Sequence, residues 1–204
     1  MSLLKSCFFI LFSAVACAIG VLCLWIDVSV LGNQIPEISL TEIVQESVLA
    51  VIVVIHFMMA KKCKNMRYCN ILIGGFFLTM LIRELDAIFD LIYHGSWVWF
   101  ALFSTLCTVT FPVIHSRETL AQLVRYTRIP YYGMMISGLL AILIFSRLIG
   151  TQALWHSILA DGYARIGKNA VEEGSESFGY MLCLMASIGY FFYCRGTPAT
   201  HTSQ

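Results

Sequence analysis

Apolar positions along this chain fall into six long runs, at about residues 6–26, 39–60, 70–93, 97–114, 131–150 and 175–194, separated by shorter, more polar stretches. Each run has roughly 18 to 25 residues, enough as helix to cross ~30 Å of hydrocarbon. The pattern predicts an all-α polytopic membrane protein, a bundle of six transmembrane helices making a single transmembrane domain over residues 1–204. The first run follows Lys5 as a signal peptide would, and Ala14-Val15-Ala16-Cys17 has the look of a lipoprotein cleavage site. The apolar stretch continues past Cys17 to Ile26, so it is read as an uncleaved first helix.

Composition agrees with this reading. Hydrophobic residues make up 59% of the chain, charged residues only 12%, and the mean hydropathy is +0.80. So little polar surface leaves no room for a soluble catalytic domain, and any chemistry falls to helices, their ends and short loops. The 13 basic and 12 acidic residues almost cancel, and no basic face collects that would suit nucleic acid.

The distribution of charge says more than its sum. Lys5, Lys61, Lys62, Lys64, Arg67, Arg117, Arg125, Arg128 and Arg195 fall on one side of the predicted bundle, Arg165 and Lys168 on the other, and Arg83 and Arg147 inside runs. Basic loops stay in the cytoplasm, so both termini are expected there, in a multi-pass protein of the inner (plasma) membrane. Trp25, Trp97, Trp99 and Trp155 then sit at outer helix ends, where an indole suits the lipid–water boundary. None of the eight cysteines falls in an outer loop, and no pair has the close spacing of a zinc site. Residues 116–129, just before Pro130, form an expected amphipathic helix on the cytoplasmic face.

Acidic residues follow the opposite distribution. Eleven of twelve (Asp27, Glu37, Glu42, Glu46, Glu84, Asp86, Asp90, Asp161, Glu172, Glu173 and Glu176) fall in outer loops or the outer halves of runs, and Glu118 alone is cytoplasmic. Insertion of Asp or Arg at a helix centre costs about 2.5 to 3.5 kcal/mol, so a run holding Arg83, Glu84, Asp86 and Asp90 needs partners or water inside the bundle. At 100° per residue, Thr79, Arg83, Asp86, Asp90 and His94 share one stripe of a continuous third helix. Ser39, Glu42 and Glu46 share a face of the second, and Glu172, Glu176, Tyr180, Cys183 and Ser187 a face of the sixth; the fourth offers Ser104, Thr105 and Thr108. Glu46, Asp86, Asp90, Ser104, Glu176 and Tyr180 are expected within roughly the first 5 to 15 Å of the membrane.

Structural roles account for part of this set. Ser39-x-x-Glu42 reads as a capping box, Glu172 and Glu173 suit the start of the sixth helix, and Arg83 could close an ion pair with an acidic neighbour, with Arg147 a second positive charge. The remaining candidates for an ion or ligand site are Glu46, Arg83, Glu84, Asp86, Asp90, His94, Glu173, Glu176 and Tyr180. The expected function is an outward-facing intramembrane acidic site that binds a cation or polar ligand, for transport or sensing. An alternative is metal-dependent hydrolysis near lipid headgroups, with Glu46, Asp86, Asp90, His94 and Glu176 as candidate ligands of a divalent ion such as Mg, Mn or Ca. The expected partners are membrane lipid and a small ion or polar ligand, with no nucleic acid.

Two resemblances bear on these readings. In size and polar intramembrane content the chain resembles the membrane hydrolases typified by alkaline ceramidases and the adiponectin-receptor family. Those use several histidines, including an H-x-x-x-H pair in a late helix, where this chain has Glu172-x-x-x-Glu176, so membership is not claimed. The histidines His56 with His115, and His94 with His156, are placed in a pattern similar to the cytochrome b561 proteins; that resemblance implies a di-haem electron carrier. Haem would leave the acidic cluster without a role.

Overall fold

A computed structural model describes residues 3–30, 39–159 and 165–196. Among them there are helices and turns and no strand. The helices are α1 (Leu3–Ser29), α2 (Leu40–Lys62), α3 (Arg67–Glu84, entered through a 3-10 turn at Lys64–Met66), α4 (Asp86–Asp90), α5 (Trp97–Ile114), α6 (Ser116–Thr127), α7 (Tyr132–Leu140), α8 (Ser146–Ile149), α9 (Gln152–Leu159) and α10 (Arg165–Gly196). A π-helical stretch, Ala141–Phe145, makes α7 and α8 one continuous rod. Six stretches are long and apolar enough to cross a membrane: Leu3–Ser29, Leu40–Lys62, Lys64–Glu84, Trp97–Ile114, Tyr132–Ile149 and Gly167–Arg195.

Four of the six predicted runs match these helices to within a few residues, and two do not. The run at 70–93 is broken: α3 stops at Glu84, Leu85 turns out of the helix, and the five-residue α4 is a separate piece. Consecutive charges at Arg83, Glu84 and Asp86 end the apolar segment there, and Gly95, at φ 78°, turns the chain into α5. The run at 175–194 is too short, because α10 starts ten residues earlier, at Arg165. Glu172 and Glu173 therefore lie well inside α10, and their expected role at the start of a helix is corrected.

The helices pack in a row with α2 and α10 at its centre. α3 packs on α2 and α5 on α3, the α7–α8 rod packs on α10, and α1 lies across α10 and α2. The core is the apolar seam of Leu49, Ile52, Met59, Phe77, Met135, Ile142, Met181 and Ala186. α1 touches the bundle through the buried Ser13, Gly20, Cys23 and Asp27 with Phe9, Ala16 and Cys17 beside them, and exposes most of its remaining apolar surface, as a lipid-facing helix does.

Without a hydrophobic drive between helices in lipid, close approach is set by small residues. Backbone meets backbone where α7 crosses α10. A methyl on Gly138 would stand 2.7 Å from the Gly179 carbonyl oxygen, and one on Gly179 would stand 2.8 Å from that of Gly138. Asp27 ties α1 to α2 by a different means. Its carboxylate accepts the backbone N–H groups of Leu40 (2.9 Å) and Thr41 (2.8 Å) and the Thr41 hydroxyl (2.6 Å), capping α2 from a neighbouring helix. Ser39 adds the expected half of the capping box by accepting the Glu42 N–H at 3.2 Å.

Candidate functional site

The charged residues of α2, α3, α8 and α10 meet at one end of the bundle, the end where α3 stops and α10 begins. On α3, Arg83 Nη2 lies 2.6 Å from Glu84 Oε1, and the same oxygen accepts the Tyr180 hydroxyl of α10 at 2.8 Å. Adjacent side chains on a helix diverge by ~100°, so this pair closes only because the long arginine folds back at the helix end. Tyr180 is wholly buried, which fixes Glu84 toward the core instead of toward lipid.

A second knot joins α8 to α10. Arg147 Nη2 lies 2.7 Å from Glu176 Oε1, Arg147 Nη1 lies 3.3 Å from Glu172 Oε1, and Lys168 Nζ lies 2.8 Å from Glu172 Oε2. Ser146 shares its hydroxyl proton between the Ile142 carbonyl (2.5 Å) and Glu176 Oε1 (3.2 Å). The π-helical turn just before Ser146 supplies the geometry, since one extra residue per turn rotates all that follows by about 100°. Gly150 supplies the space, because a methyl there would meet the Glu172 carboxylate carbon at 2.5 Å.

A third group links α2 to α10. Gln45 Nε2 donates to Ser177 Oγ at 2.8 Å and to Glu173 Oε2 at 3.1 Å. One residue on, Glu46 is half-buried and within electrostatic range of Glu84, yet it makes no hydrogen bond or ion pair among the described residues. Glu173 and Glu176 likewise lie within electrostatic range of Glu84. The cluster thus contains the five carboxylates Glu46, Glu84, Glu172, Glu173 and Glu176, with Glu42 at its edge within range of Glu173, against the three cations Arg83, Arg147 and Lys168.

Of the sequence candidates, Glu46, Arg83, Glu84, Glu173, Glu176 and Tyr180 come together. Asp86, Asp90 and His94 do not, because the break at Leu85 carries them off the helix that would have aligned them. Asp86 is exposed; Asp90 accepts the Gly95 N–H at 2.8 Å and pairs with His94 Nδ1 at 2.7 Å in an exposed loop. The Gly95 N–H, and then His94, hold the Asp90 carboxyl below the usual range. Glu46, Asp86, Asp90, His94 and Glu176 are therefore not assembled as metal ligands, and among the described residues no group of three or more His, Cys, Asp or Glu is placed to hold a metal. Glu37 and Asp161 lie outside the described residues.

The histidines are also separately employed. His56 is wholly buried between Phe77 and Tyr190, with Nδ1 3.0 Å from Asn70 Oδ1 and Nε2 3.2 Å from Ser187 Oγ. Asn70 passes the network on, donating to the Tyr190 hydroxyl at 2.9 Å and to the Met66 carbonyl at 2.7 Å. His115 stacks on Tyr68 and bonds the Phe111 carbonyl at 3.1 Å. Both ring nitrogens of His56 are engaged inside the bundle, with Asn70 and Ser187, while His115 is engaged separately with Tyr68 and the Phe111 carbonyl.

Sequence reasoning passed over Gln45, Ser146 and Lys168. Gln45 was legible in principle, as an amide inside an apolar run beside Glu46; Ser146 was not, because its facing depends on the π turn. Compared with known proteins, the chain matches no family model, no curated protein and no solved structure.

Proposed function

We propose that the acidic end of the bundle binds a cation or a small cationic ligand from the outer face of an inner or plasma-type membrane, for transport or sensing. The orientation rests on the sequence alone, with the basic loops and both termini in the cytoplasm. The observation that carries the reading is Glu46. A half-buried carboxylate without a hydrogen-bond or ion-pair partner among the described residues, beside Glu84 in a cluster with more acids than bases, is an expensive arrangement in lipid unless a positive charge completes it.

Carboxylates from three helices surrounding Tyr180 and the Gln45 amide offer oxygen donors and one edge open to solvent or headgroups. Such a site suits a monovalent or organic cation better than a tightly ligated divalent metal, whose ligand set the geometry does not assemble. Membrane hydrolysis would need that metal, and no geometry favours it.

The test is a thermal-stability series on purified protein in lipid nanodiscs, with sodium, potassium, calcium, magnesium and guanidinium added in turn. One of these is expected to raise the unfolding temperature saturably in the native protein and not in Glu46→Gln. An equal response to every salt, or the same response in Glu46→Gln, rejects the site.

A further inference from the structure

The opposite end of the bundle carries a feature that the acidic site does not explain. α6 is fixed there as a platform. Gln122 Oε1 accepts the backbone N–H groups of Tyr68 (2.9 Å) and Cys69 (3.1 Å), capping the start of α3, and the Thr119 hydroxyl donates to the Pro112 carbonyl at 2.8 Å. Thr119, Gln122 and Tyr126 are buried by this docking. The rest of its surface mixes two chemistries: Leu120, at the edge toward the bundle, and Val124 are 64% and 47% exposed, and Arg117, Arg125 and Arg128 are exposed beside them. An apolar stripe flanked by arginines is the pattern of a helix lying in a membrane interface.

Between α6 and the bundle runs a groove of about 290 Å³ lined by Leu72, Pro112, Val113, Ser116, Leu120 and Leu123, among others. The basic rim around it is extensive. Lys61 and Lys62 at the end of α2, Lys64 in the 3-10 turn and Arg67 at the start of α3 join Arg117, Arg125 and Arg128, seven exposed basic side chains against the single acid Glu118. None of the seven is in an ion pair among the described residues. Arg67 lies over the Phe111 ring, 5.4 Å from its centre, one residue before Pro112 of the groove, and Arg117 follows Ser116 of its lining.

We propose that this groove is a binding site for an anionic phospholipid. One acyl chain lies along Leu72, Val113, Leu120 and Leu123, and the phosphate is met by the rim that Arg67 and Arg117 begin. The charge complementarity selects an anionic headgroup over a zwitterionic one, and the fixed platform makes the contact a site instead of a passing annulus.

The experiment is native mass spectrometry of the full chain released from detergent, with phosphatidylglycerol or phosphatidylcholine of the same acyl chains added at equal concentration. The native protein is expected to retain phosphatidylglycerol preferentially. Juxtamembrane basic residues are worth about five-fold each, so Arg67→Gln with Arg117→Gln should lower that affinity roughly 25-fold. Leu120→Trp, which fills the groove without touching charge, should also abolish tight retention, whereas Asp86→Asn, at an exposed position beyond the far end of α3, should leave it intact. Equal retention of the two lipids by the native protein overturns the proposal, as does undiminished selectivity in the double arginine variant or in Leu120→Trp.

Discussion

Arg147 and Glu176 meet at 2.7 Å between α8 and α10, and Glu176 is only 3% exposed. Removing one partner of a buried pair leaves a charge in an apolar surrounding, which costs about 3 to 5 kcal/mol. Arg147→Met is therefore expected to destabilise the bundle by roughly that amount, discounted because the arginine itself is 44% exposed and screened. Arg147→Met with Glu176→Leu should recover most of the loss. A double-mutant cycle on unfolding in mixed micelles checks it, and additive losses would mean the two residues are not coupled.

Gly138 and Gly179 define a crossing that has no room for a side chain. Gly179→Ala forces a methyl to within 2.8 Å of the Gly138 carbonyl oxygen and 2.5 Å of Ile142 Cγ1. Backbone cannot yield as a side chain can, so a loss of about 1 to 3 kcal/mol is expected, with a larger one for Gly179→Leu. Gly133, with nothing within 4 Å of its would-be methyl, is the control, and Gly133→Ala should be close to neutral in the same unfolding assay.

Asp27 caps α2 through three hydrogen bonds from another helix. Asp27→Ala is expected to cost about 2 kcal/mol, the upper end for a lost cap, and to speed hydrogen exchange at Leu40 and Thr41 first. Unchanged exchange at those two amides would show that α1 does not hold the start of α2.

The loop at Asp90 gives a pH test. Its carboxyl is held below the usual range by the Gly95 N–H and then by His94, so its contribution to loop order is complete above the ordinary aspartate pKa of about 3.9 and is lost as pH falls through the lower folded value. Gly95 amide protection, corrected for intrinsic exchange, should hold steady through pH 6 and fall only below about pH 4; Asp90→Asn should remove that transition. A fall in protection already well above about pH 4, or a transition that persists in Asp90→Asn, would show that the Asp90 carboxylate does not order the loop.

These residues also show what the sequence could reveal. The six apolar runs are long and continuous, so helix number and most boundaries follow from hydropathy and length. The end of α3 did not follow, because Leu, Ile and Phe continue from Leu85 to Ile92 at a helical spacing while the backbone leaves the helix at Leu85. One such break moved Asp86, Asp90 and His94 out of a stripe drawn for an unbroken helix, and with them the proposed metal ligands. Glu46, Glu84, Glu176 and Tyr180 lie near one another because each sits within a helix whose register is preserved. The partners Gln45, Ser146 and Lys168 depended on which helices are neighbours and on the π turn in the α7–α8 rod, neither of which a hydrophobic pattern encodes.

The central claim is that five carboxylates facing three cations leave room for a bound positive charge at the acidic end. Isothermal titration of the nanodisc-embedded protein, with whichever cation of the series stabilises it, measures this directly. The account predicts saturable binding of about one cation per chain, weakened at least ~10-fold, or 1.4 kcal/mol, in Glu46→Gln and unaffected in Asp86→Asn with Asp90→Asn. No saturable binding of any cation in the series, or binding that survives Glu46→Gln and disappears in the Asp86/Asp90 variant, would contradict it.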